Sequence, residues 1–92
     1  MNKVTVESLG RAINNALEQK DQVTANLLKT VRNAILKANA ENEPERIQNI
    51  ITVKQTALKA EGNMYLEIEE ENLLDNTLRQ IEILDGIMKE FE

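Results

Sequence analysis

Three cations and one acidic run are the side chains of this sequence whose type and spacing could do chemistry. Lys29 and Arg32 stand three residues apart, close enough to share one helix face, and Lys54 could join them after folding. Such a group could hold the phosphate oxygens of RNA. No aromatic residue interleaves with it to stack bases, since the chain has one Tyr, one Phe and no Trp. Glu67, Glu69, Glu70, Glu71 and Asp75 offer oxygen ligands, but without the looped spacing and turn glycine of a Ca²⁺ site. Histidine and cysteine are absent altogether. Their absence removes nucleophile–base pairs, thiol chemistry and soft metal ligands together, and with them the Glu-x-x-His sites of di-iron bundles. A carboxylate pair for glycoside hydrolysis needs a cleft that a thin aliphatic bundle has little room for. The expectation is therefore a protein that is not an enzyme, with no catalytic residue, no cofactor and no metal.

What must position these side chains is a chain of 92 residues, read as one domain over 1–92. The hydrophobic fraction of 41% is almost wholly aliphatic, the composition of a helical bundle core. No disulfide is available, no apolar leader opens the chain, and no stretch approaches the roughly 18 apolar residues of a membrane span. A cytoplasmic protein without membrane contact is the expectation. The net charge of −5 is unevenly placed. Residues 1–60 carry nine bases against six acids, whereas residues 61–92 carry two bases against ten acids.

Apolar spacing predicts four helices. The first runs from Thr5 to Gln19, with Thr5 as N-cap, Ser8 three residues on, and Val6, Leu9, Ile13, Ala16 and Leu17 on one face. The second runs from Gln22 to Ala40 behind a polar Lys20-Asp21 joint, its stripe formed by Ala25, Leu28, Val31, Ile35 and Ala38. Pro44, at a first helical position, opens the third, which carries Ile47, Ile50, Ile51, Ala57 and Leu58. Its end has two readings. Gly62-Asn63 is a stop signal, yet Met64, Tyr65 and Ile68 continue the stripe, which favours a break near Glu69–Glu71 with Asn72 as the next N-cap. The fourth helix then runs from Leu73 to Phe91 along Leu74, Leu78, Ile81, Leu84 or Asp85, Met88 and Phe91, broadened by Leu73, Ile83 and Ile87.

The fold that follows is all-α, either a four-helix up-down bundle or two antiparallel helical hairpins. In the second arrangement a longer second hairpin projects and exposes Met64, Tyr65 and Leu66 at its tip, where another protein or a second copy could dock.

The residues Lys20-Asp21, Leu27 to Ile35, Val53-Lys54-Gln55, Asn72-Leu73-Leu74-Asp75 and Ile81 to Asp85 resemble the larger, helical part of the GatB/YqeY domain. That domain stands alone in YqeY-type proteins and forms the C-terminal region of the GatB subunit of tRNA-dependent amidotransferases. The family chain continues through a Leu-Pro into a smaller helical subdomain, which this sequence does not include and which is the part associated with tRNA contact. The resemblance implies an all-helical accessory domain with no catalytic residues, and it matches Lys29, Arg32 and Lys54 to the family's basic positions.

The functional expectation is a protein-binding or adaptor domain using Met64, Tyr65, Leu66, Glu69, Glu70 and Glu71. One alternative is a tRNA- or RNA-associated module using Lys29, Arg32 and Lys54. Another is an acidic inhibitor that blocks a nucleic-acid-binding protein.

Overall fold

A computed structural model describes residues 4–91; the single domain expected over 1–92 also takes in Met1, Asn2, Lys3 and Glu92, which lie outside them. Four helices account for most of the chain: α1 (Val6–Glu18), α2 (Gln22–Lys37), α3 (Pro44–Glu67) and α4 (Glu71–Met88). A 3₁₀ turn over Lys89–Phe91 follows, so the α-helix expected to reach Phe91 tightens at its last turn. No strand occurs among the described residues.

The helices pair as two hairpins, α1 with α2 and α3 with α4, and α2 is the element that joins them. The second hairpin is the longer. Its 24-residue α3 spans about 36 Å at about 1.5 Å per residue, and it sets the long axis of a molecule measuring 41 × 28 × 25 Å.

Local chemistry explains where the first three helices begin. Thr5 caps α1 through a reciprocal box: Ser8 N–H donates to Thr5 Oγ1 at 3.0 Å and Thr5 N–H donates to Ser8 Oγ at 2.8 Å. Asp21 caps α2, accepting from Thr24 N–H at 3.2 Å. Pro44 opens α3, where its missing N–H costs nothing. The cap expected at Asn72 is not formed: α4 starts after Glu70, with Asn72 inside its first turn and no side-chain cap bond. A cap needs extended or turn backbone, and residue 72 is already helical.

The three joints share one device. After α1, α2 and α3 the chain turns through left-handed backbone at Lys20, Asn39 and Glu69, with φ of 59°, 53° and 59°. At each joint the left-handed residue donates its N–H three residues back and its successor donates five residues back. Asp21 N–H reaches Ala16 O at 2.8 Å, Ala40 N–H reaches Ile35 O at 3.1 Å, and Glu70 N–H reaches Tyr65 O at 3.0 Å. This pair of hydrogen bonds closes helix C-termini in the Schellman manner. The α2 stop at Lys37 falls before Ala40, where the stripe was expected to fade, and α3 ends at the later of its two expected breaks.

One contiguous core holds the hairpins together. It comprises Leu9 and Ile13 of α1, Leu27, Leu28, Val31 and Ile35 of α2, Ile47, Ile51 and Leu58 of α3, and Leu84 of α4, closed by Val4 and Ala40. Several stripe positions lie outside it: Leu17, Ala57, Met64, Ile68, Leu73 and Leu78 are exposed. On α3 the apolar core ends at Leu58, and on α4 it begins at Leu84. Toward the tip only Gly62 and Thr77 are buried, packed so closely that a Cβ on Gly62 would lie 3.7 Å from Thr77 Cγ2.

Polar contacts tie distant parts of the chain. Gln55 Nε2 donates to Asp85 Oδ1 at 2.8 Å across α3 and α4. Arg46 bridges the second joint, pairing with Glu43 and donating to Ala38 O, both at 2.7 Å. Arg79 Nη2 donates to Asp21 Oδ2 at 2.7 Å, fastening α4 to the start of α2. The Thr24 hydroxyl, which also donates to Asp21, holds that carboxyl below its ordinary pKa, with Thr24 N–H and Arg79 acting in the same direction. A depressed carboxyl stabilises the fold above its unfolded pKa, and the contribution is lost as the pH falls through the folded value. In urea melts, wild type should therefore exceed Asp21→Asn in stability above about pH 4, the usual carboxylate range, and the two should converge in stronger acid. A gap of constant size would show that the Asp21 charge is not its source.

Candidate protein-docking surface

Beyond the core, the outer half of the α3–α4 hairpin keeps large apolar side chains in the open. Leu66 is 63% exposed and Leu78 49%, and Met64, Ile68 and Leu73 are exposed as well. Scattered single apolar residues are ordinary on a protein surface, so what matters is which of these share a groove.

The exposed groups fall on different sides of the hairpin. A groove of about 510 Å³ is lined by Lys59, Gly62, Asn63 and Leu66 of α3 and by Leu74, Leu78 and Ile81 of α4. Gly62 packs toward Thr77 and Leu74 at its base, Leu74, Leu78 and Ile81 form its apolar α4 side about a turn apart, and Leu66 is the one large apolar residue of its α3 side. At about 100° per residue, Leu74, Leu78 and Ile81 lie to one side of the buried Thr77, and Asn76 and Gln80 to the other. Asn76 and Gln80 share a cleft with Gln22, Val23, Asn26, Leu27 and Thr30 of α2. The leucine groove thus opens on the face of the hairpin turned away from α2.

At the tip, Tyr65, Leu66, Glu69, Glu70, Glu71 and Leu74 line a second hollow of about 480 Å³. Five of the six residues expected to make a protein contact meet here. Met64 does not join them: it stands about 160° round α3 from the α4-facing Gly62 and points outward. Gly62, Leu74 and Leu78 were not expected as part of the surface. Their signal in the sequence is an α4 stripe too broad for a single neighbouring helix to cover.

The cations are divided. Lys29 is exposed and Arg32 half-buried on neighbouring positions of α2, and the Arg32 Nε is buried without a hydrogen-bond partner among the described residues. Lys54 lies beside Thr30, lining both the α2–α4 cleft and an apolar groove of about 430 Å³ formed by Val31, Ala34, Ile50, Val53 and Ala57. Arg32 stands about 200° round α2 from Thr30, on the far side from Lys54.

The field over the tip is negative. Between Ala60 and Leu78 there are six acids (Glu61, Glu67, Glu69, Glu70, Glu71 and Asp75) and no base. The α3 C-terminus, where the helix dipole favours a cation, carries Glu67 instead. Among the described residues no group of three acids is placed to hold a metal ion, and no helix is long and apolar enough to cross a membrane. Comparison with known proteins returns no match to a family model, to a curated protein or to a solved structure.

Proposed function

We propose that this chain is a non-enzymatic docking domain of the cytoplasm, similar to the helical part of YqeY-type proteins, that engages another protein through the outer half of its α3–α4 hairpin. The observation that carries the reading is the contrast along two helices. Leu58 and Leu84 are sealed in the core, while Leu66 and Leu78, one or two turns further out, stand in an open groove. Full burial of a leucine is worth about 1.5–3 kcal/mol, and Leu66 and Leu78, 63% and 49% exposed, leave roughly half of that each for a partner's surface to recover. The acidic surround opposes an RNA phosphate chain at this site.

The test is affinity capture from native lysate with protein and RNA both read out. Wild type should retain a protein that Leu66→Ser plus Leu78→Ser loses and that Val53→Ser, altered in the α2–α3 groove, keeps. Circular dichroism confirms that both variants are folded. Identical capture by all three proteins, or capture of RNA alone, would overturn the reading.

A further inference from the structure

The docking reading leaves the occupant open, and the groove's shape and charge narrow it. We infer that the α3–α4 groove receives an amphipathic helix of a partner protein whose apolar stripe is flanked by Lys and Arg. The inference rests on the proposed docking function and adds the chemistry of what docks.

Shape comes first. The lining residues 59, 62, 63 and 66 on α3 and 74, 78 and 81 on α4 repeat at helical intervals. Each wall spans eight residues, about 10 Å from first to last, the length of two helical turns. A trough of that length between two helices accepts a third helix presenting anchors at i, i+3 or i+4, and i+7. Leu66, Leu74, Leu78 and Ile81 supply the apolar contact.

Charge decides the flanks. The six acids between Ala60 and Leu78 are unaccompanied by any base, and Arg79, the next cation along α4, is engaged by Asp21. Lys59, at the groove's inner end, is the one cation in its lining. A helix with acidic flanks would meet this field as repulsion, and one with basic flanks as attraction. A second copy seated groove to groove is the competing occupant, and the oligomeric state tests it.

The test uses the full chain and two fluorescein-labelled synthetic helical peptides. Both carry leucine at i, i+3, i+4 and i+7; one has lysine on its remaining faces, the other glutamate. Fluorescence anisotropy should show the lysine peptide bound at least about tenfold more tightly than the glutamate peptide, with the difference shrinking as salt is added. Leu66→Ser plus Leu78→Ser should weaken the lysine peptide about tenfold or more, as loss of central apolar anchors does, while Val53→Ser leaves it unchanged. Glu69→Gln, Glu70→Gln and Glu71→Gln together should flatten the salt dependence with the leucines intact.

Equal affinity for the two peptides would overturn the inference. So would a lysine peptide that binds the Leu66/Leu78 variant as well as wild type, or a dimer in sedimentation that the Leu66/Leu78 variant abolishes. The two readings fail separately. Leucine-dependent capture of a protein together with no peptide preference removes the basic helix and keeps docking. Peptide preference without any captured protein removes the docking function and leaves a groove of the stated chemistry.

Discussion

Truncating Ile51 to alanine is expected to cost about 2–5 kcal/mol of folding free energy, the usual range for deleting a fully buried branched side chain. Ile51 lies on α3 and is 0% exposed, as is Ile35 on α2, and both belong to the one cluster that spans the two hairpins. Removing three methyl-sized groups there forfeits their transfer free energy and leaves a void that surrounding backbone closes only in part. A domain of this size has a total stability of order 5–15 kcal/mol, so the loss is a large share of it. Urea melts should show a lower midpoint with an unchanged slope. In thermal melts each 1 kcal/mol corresponds to about 4–8 °C. Val53→Ala, on the same helix at 70% exposure, is the matched comparison, and its effect should stay within about 0.5 kcal/mol. If Ile51→Ala proved as mild as Val53→Ala, the two hairpins would not share a core.

That contrast also shows what a sequence can and cannot reveal. The stripes containing Ile35 and Ile51 are visible in the order of residues because helical periodicity is a local property. So are the Thr5–Ser8 box and Pro44 at a helix start, each decided within one turn of chain. Leu78 belongs to the same kind of stripe as Leu84, yet one is open and the other sealed. The difference lies in which helix covers which length of α4, and no window of neighbouring residues contains that information. The Arg79–Asp21 pair, 58 residues apart, and the Gln55–Asp85 bond, 30 apart, are hidden for the same reason. Exposure near the tip could be read from Met64 to Leu66, although Met64 stands apart from the other two, but the groove needed Leu74, Leu78 and Ile81 brought alongside Leu66 from a second helix.

The three glycines all lie within helices, as the favoured reading of the sequence has them, and they carry the second large effect expected here. Gly62, a stop signal taken alone, is a helix interior position; Gly10 and Gly86 likewise lie inside α1 and α4. The stops are instead at Lys20, Asn39 and Glu69, where the backbone is left-handed and no glycine is present. Exchanging the two should stabilise the protein. A Cβ at Gly10 or Gly86 would meet nothing within 4 Å, so alanine adds helix propensity of about 0.4–1 kcal/mol at each without a clash. Because neither methyl touches a neighbour, the gains should add to about 1–2 kcal/mol. Lys20→Gly relieves the left-handed strain of an L-residue, about 1–2 kcal/mol, against the greater freedom glycine has when unfolded, about 0.5–1 kcal/mol. The net gain of the triple variant Gly10→Ala, Lys20→Gly, Gly86→Ala is thus about 1–3.5 kcal/mol, a melting temperature about 4–28 °C above wild type at about 4–8 °C per kcal/mol. Asn39→Gly is the discriminating companion: asparagine already tolerates the left-handed region, so its change should be smaller than that of Lys20→Gly. Equal gains at the two sites would mean that strain at the turn is not what glycine relieves, and a lower melting temperature for Gly10→Ala or Gly86→Ala would place an unseen neighbour against that helix face.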